Sequence, residues 1–164
     1  MTRRRVPGGP LAAMLAAVLV GCGGGDAVPG PVAARAFEDP GFVAGGAYEM
    51  HYGMLLASEL PAHVAANYGI DPRPDRVVLN VSVLKRVPGA VPAPVEADVA
   101  GQWRGLTGEP QPLAFRPVLE GTAVSYIAEA PARDREAMVF EIEARPTGER
   151  APMAARITRR FGTR

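Results

Sequence analysis

The chain has 164 residues and a formal net charge of +1, with 18 basic and 17 acidic side chains. That length allows one domain of ordinary size, and the charge balance excludes the concentrated basic footprint of a nucleic-acid binder. With one cysteine, no internal disulfide can staple the fold.

The N-terminus carries the most specific pattern. Arg3-Arg4-Arg5 precede a turn-like Pro7-Gly8-Gly9-Pro10, and an uncharged apolar run follows from Leu11 to Val20. A basic start and a short apolar core are the order of a secretory signal. The run is about ten residues long, against the roughly 20 that span a bilayer as a helix. Leu19-Val20-Gly21-Cys22 then reads as a bacterial lipobox, in which the Cys22 sulfur takes lipid and the chain is cut just before it. An ordinary secretory signal followed by a chance cysteine is the alternative. Lipidation accounts for an unpaired cysteine in an exported chain. Two or more acyl chains, such as palmitate, make the anchor stable. Gly23 follows the cysteine where some lipoproteins carry Asp, which in a Gram-negative cell predicts the outer membrane, facing the periplasm. Cleavage removes three Arg and no acidic residue, so the mature chain keeps 15 basic and 17 acidic side chains, a net of −2.

Residues 22–45 hold Gly-Gly-Gly, several Pro and Ala, and little apolar periodicity, and read as the lipidated Cys and a flexible tether. A folded domain is expected over 46–164. Its signals are mainly of period 2. Tyr48, Met50, Tyr52 and Met54 alternate with Glu49, His51 and Gly53. Ser58 to Gly69 then reads as a short helix, with Pro61 in its first turn and Gly69 just past its end. Arg76 to Leu84 reads as a central strand. Further strands are expected at Val95–Arg104, Leu113–Leu119, Val124–Glu129, Met138–Glu143 and Met153–Thr158, with Pro117 pushing its strand toward a sheet edge. Gly- and Pro-rich turns separate them. The prediction is all-β: an immunoglobulin-like antiparallel β-sandwich of about seven strands, with one short helix between the first two. A small closed barrel is the alternative.

Tyr48-Glu49-Met50-His51-Tyr52, then Leu60-Pro61 through Tyr68-Gly69-Ile70, then Arg76 and Leu79-Asn80-Val81-Ser82-Val83 resemble one bacterial family, domain of unknown function 4426. The stretch Leu106 to Glu129 is also similar, through Gly108, Pro110, Leu113, Phe115, Glu120-Gly121 and Tyr126-Ile127-Ala128. The resemblance covers about residues 46 to 161, and departs at Gly53 to Leu56, where the family is more polar. It implies an envelope-associated protein and brings no catalytic residues or substrate with it.

Glu49 and His51 lie two apart on one strand face, where a carboxylate can orient an imidazole for acid–base work. Ser82 or Asn80 on the neighbouring strand would complete a Ser-His-Glu set. Ser82 sits mid-strand without the Gly-x-Ser-x-Gly elbow of a nucleophile, however, and polar pairs on a sheet face are usually cross-strand partners. His51 and His63 are the two histidines, and no ligand spacing of a zinc site accompanies them. Tyr52, Tyr68 and Trp103 make either an aromatic platform or core, and Trp103 falls on the apolar face of its strand. Arg156, Arg159, Arg160 and Arg164 form a basic C-terminal strip, read as a solvated face.

The expected protein is therefore a lipid-anchored envelope module that binds another envelope protein or polymer, without catalysis or cofactor. Cys22 is the lipid attachment site, and Glu49, His51, Tyr52, His63 and Tyr68 are the binding-surface candidates. A hydrolase using Glu49, His51 and Ser82 is one alternative; a small-ligand or glycan binder using the helix is another.

Overall fold

The computed structural model describes residues 41–162, so the expected signal peptide, Cys22, residues 23–40 of the tether and Arg164 lie outside the described residues. Among the described residues ten strands run in chain order: β1 (Gly41–Gly45), β2 (Tyr48–Leu56), β3 (Arg76–Lys85), β4 (Ala93–Pro94), β5 (Ala97–Gly105), β6 (Gln111–Pro112), β7 (Arg116–Glu120), β8 (Ala123–Pro131), β9 (Ala137–Pro146) and β10 (Met153–Arg160). They build two antiparallel sheets. The first has the order β1-β2-β3-β8-β7, with β4 on β3; the second has the order β10-β9-β5-β6. The sheets pack face to face, so the molecule is the expected all-β sandwich rather than a barrel.

Alternation set these strands. Val77, Leu79, Val81 and Val83 of β3 turn inward, beside Met50, Met54 and Leu56 of β2 and Val124, Tyr126 and Ala128 of β8. They meet Met138, Phe140, Ile142 and Ala144 of β9 and Met153 and Ala155 of β10. Phe140, Met50 and Val77 are fully buried; each such side chain stabilises the fold by about 1.5–3 kcal/mol relative to exposure.

The first sheet is apolar on its other side too. Leu55, Val78 and Ile127 point away from the sandwich and are covered by Ala57, Leu60, Val64, Ala65, Tyr68 and Ile70, which follow β2. This accounts for the apolar run at Gly53 to Leu56. The expected helix over Ser58–Gly69 is shorter than its pattern. Ala57–Glu59 make one 3-10 turn, and the helix proper, α1, is Ala62–Asn67. Pro61 is the reason: a residue before proline is pushed out of helical geometry, and Leu60 is extended, with ψ 136°. The far end is as expected. Gly69 has φ 61°, and Ile70 N–H donates to Ala65 O at 2.8 Å while Gly69 N–H donates to Ala66 O at 3.2 Å. That is a Schellman end, with Ile70 supplying its apolar contact.

Two expectations are corrected. Gly41–Gly45, assigned to the tether, is an edge strand paired with β2 from Gly41↔Tyr52 to Gly45↔Tyr48. Its glycines made it read as linker. They are instead the places where large neighbours need room: a Cβ on Gly41 would run into the Tyr52 ring, and one on Gly45 would lie 2.6 Å from Met153 Cγ. The single strand expected over Leu113–Leu119 is two. β6 pairs with β5 in one sheet and β7 with β8 in the other, so the chain changes sheets between them. Leu113 is buried where it crosses, and β7, carrying Pro117, is an edge strand as expected.

Candidate functional site

On the outward face of the first sheet, the β1–β2 edge gathers a small polar and aromatic patch. His51 is half-buried, and its Nε2 lies 3.0 Å from Glu49 Oε2. The period of the strand puts both on this face. Phe42 pairs with His51 in register and stacks on it, with ring centroids 5.5 Å apart and planes inclined by 21°. Phe42 remains 59% exposed, a large apolar side chain on a strand with no charged residue. Arg86 Nε lies 3.8 Å from Glu49 Oε1, and Arg86 also donates to Gly46 O. Beside Glu49 and Arg86, a shallow cleft of about 580 Å³ is walled by Ala47, Val87, Pro88, Ala90 and Pro92.

The five candidates from the sequence do not share this surface. Glu49 and His51 come together as expected. Tyr52 turns the other way, against Gly41 and the main core. His63 is exposed on α1. Tyr68 is buried beneath α1, and its hydroxyl has no hydrogen-bond partner. Ser82 stands opposite His51 in the β2–β3 register, while the imidazole is joined to Glu49 and faces Phe42. Asn80 is buried on the same face, with its Oδ1 unpartnered.

Trp103 corrects the reading that made it core. It packs against the core but is half-buried, and it lines a second cleft, of about 230 Å³, at one end of the sandwich. Strand parity placed its ring inward; it does not reveal that Trp103 stands near the end of β5, where the cleft opens beside the ring. The arginine strip is also divided. Arg156 pairs with Glu141 at 3.1 Å and Gln102 donates to the same Glu141 at 2.6 Å, whereas Arg159 donates to Met54 O at 3.1 Å. Among the described residues no group of three or more His, Cys, Asp or Glu is placed to hold a metal ion, and no helix is long and apolar enough to cross a membrane. Asp75 is held below the usual carboxylate range by its hydrogen bond from Arg73, but the pair is exposed and lines neither cleft.

The fold and these surfaces define an antiparallel two-sheet β-sandwich with a small helical cover on one outer face. The sequence profile described as "Domain of unknown function (DUF4426)" matches residues 43–162, and the chain belongs to that family. A crystal structure of a DUF4426 family protein from Pseudomonas aeruginosa is similar: 30% sequence identity, a TM-score of 0.63, and coverage of 75% of this chain and 94% of that one. No curated protein matches the chain.

Proposed function

We propose that the protein is a lipid-anchored binding module of the cell envelope, held to a membrane through Cys22 and engaging another envelope protein with its sandwich. The lipobox order from Arg3 to Cys22 supports the anchor. The observation that carries the binding role is the exposed Phe42 on the uncharged edge strand β1. Folded proteins normally protect an edge strand with charge, proline or a cover. Here the strand Gly-Phe-Val-Ala-Gly has no charge, and its one large side chain is exposed. Such an edge suits a partner that adds a strand, its backbone supplying affinity and its side chains meeting Phe42. His51 is joined to Glu49 beneath that ring, a supporting role rather than that of a base serving Ser82.

Complementation of a deletion strain tests this, with abundance and localisation measured for every variant. His51→Ala and Ser82→Ala should restore the phenotype at normal protein levels. Phe42→Glu, a stable and correctly localised protein, should fail to. Loss of rescue by both His51→Ala and Ser82→Ala, with rescue by Phe42→Glu, would overturn the binding reading and favour a hydrolase.

A further inference from the structure

The Trp103 cleft shares no residue with the Phe42 patch and is built differently. One wall is the end of β5, Trp103 and Gly105, with the turn through Thr107, Gly108 and Glu109; the opposite wall is the β8–β9 loop from Pro131 through Arg133 to Glu136. Trp103 and Met138 supply an apolar lining. The loop is fixed by backbone bonds, from Ala132 N–H to Asp75 O at 2.8 Å and from Arg135 N–H to Phe161 O at 2.9 Å. Arg135 also has a positive φ, 56°, which among the described residues no other non-glycine residue has, a conformation that needs surrounding structure to hold it.

The charge on this cleft is uneven. Two carboxylates, Glu109 and Glu136, face one guanidinium, Arg133. Glu109 has no ion pair among the described residues, and Arg133 reaches Glu136 only at 3.5 Å from a side chain that is 83% exposed. The neighbouring cations are engaged elsewhere: Arg135 with Asp134 at 3.9 Å, and Arg104 with the carbonyls of Gly105 and Leu106 at 3.4 and 3.1 Å. Gly105 gives the Glu136 carboxylate its place, since a Cβ there would stand 2.7 Å from Glu136 Oε1.

We propose that this cleft receives a cationic side chain, arginine or lysine, presented by a protein partner. A tryptophan attracts a cation to its ring, and the carboxylates bind it by charge-assisted hydrogen bonds. The volume fits one side chain rather than a drug-sized ligand. Arg133 is the internal competitor: its loose bond to Glu136 is what an incoming cation displaces. The proposal rests on the binding-module reading and deepens it with a second contact.

Trp103 is the one tryptophan in the sequence, so its fluorescence reports occupancy directly. Full-length protein in detergent is titrated with acetyl-arginine amide and acetyl-lysine amide, then with acetyl-glutamate amide and N-acetylglucosamine, each to about 100 mM to reach weak, millimolar affinities. The cationic probes should give a saturable, salt-weakened change, and the acidic and sugar probes none. Glu136→Gln should weaken the cationic response about tenfold, as expected for losing a charged partner. Arg133→Ala should strengthen it. Circular dichroism of each variant checks the fold, and Glu109→Gln serves as a second carboxylate variant should Glu136→Gln fail to fold. A response to acetyl-glutamate amide that Arg133→Ala removes would make this an anion site and overturn the proposal. So would preference for the sugar, an unchanged response in the carboxylate variant, or no response to either cation. Failure here leaves the Phe42→Glu complementation result untouched, so the two readings fail separately.

Discussion

Tyr126 and Tyr68 are both buried, yet their hydroxyls meet opposite circumstances. Tyr126 turns its ring into the main core, and its oxygen accepts a hydrogen bond from the backbone N–H of Ala97 at 2.8 Å, tying β8 of one sheet to β5 of the other. Tyr68 sits under α1 with a hydroxyl that has no partner. The same substitution should therefore have different effects. Tyr126→Phe strands a buried donor, which costs about 1–3 kcal/mol, whereas Tyr68→Phe removes an unsatisfied group and is neutral or stabilising. Denaturant melts of the two variants check this, and equal losses would contradict it. Trp103 and Phe140 make a second contrast. Phe140 is fully buried and its truncation to Ala should cost about 3–5 kcal/mol. Trp103→Ala should cost clearly less in the same melts, because one side of the ring opens on the cleft.

Elements were legible wherever alternation continued for several residues. β2, β3, β5, β8, β9 and β10 all lie where the period of 2 placed them, because each has one face that must be buried against the other sheet. Gly41–Gly45 was not legible. Its core-facing side carries only Val43 between two glycines, with Phe42 on the other face, and the reason its glycines suit a strand lies outside the segment, in the Tyr52 and Met153 side chains that occupy their space. The change of sheet between β6 and β7 was also hidden, since Leu113 and Leu119 keep strand-like spacing while the backbone leaves one sheet for the other. If the Tyr52 ring over Gly41 is what secures β1, Gly41→Val should push the strand off its neighbour. Amide exchange would then show lost protection at Val43 and Gly45, with β3 and β9 still protected. Loss of protection throughout the sandwich would instead make β1 integral to global folding.

At the scale of the whole molecule, two apolar layers share the first sheet: the sandwich core on one side and the small α1 cluster on the other. The sequence foretold the sandwich and the helix but not that the helix covers the sheet's back. Val78 beside Val77 was the available signal, two faces of one strand both apolar. The candidate site was legible only in part. The Glu49–His51 pair follows from strand period, whereas Phe42 was hidden in a segment read as tether, and the Trp103 cleft depends on where two loops end. The role proposed for these surfaces depends on a sandwich tethered at a membrane by its N-terminus. Metabolic labelling with radioactive palmitate, followed by purification of the wild-type protein and of Cys22→Ser, measures that most directly. The account predicts label on the wild type and none on Cys22→Ser, which should accumulate as the longer, uncleaved precursor. Label retained on Cys22→Ser, or an unlabelled wild type, would contradict it.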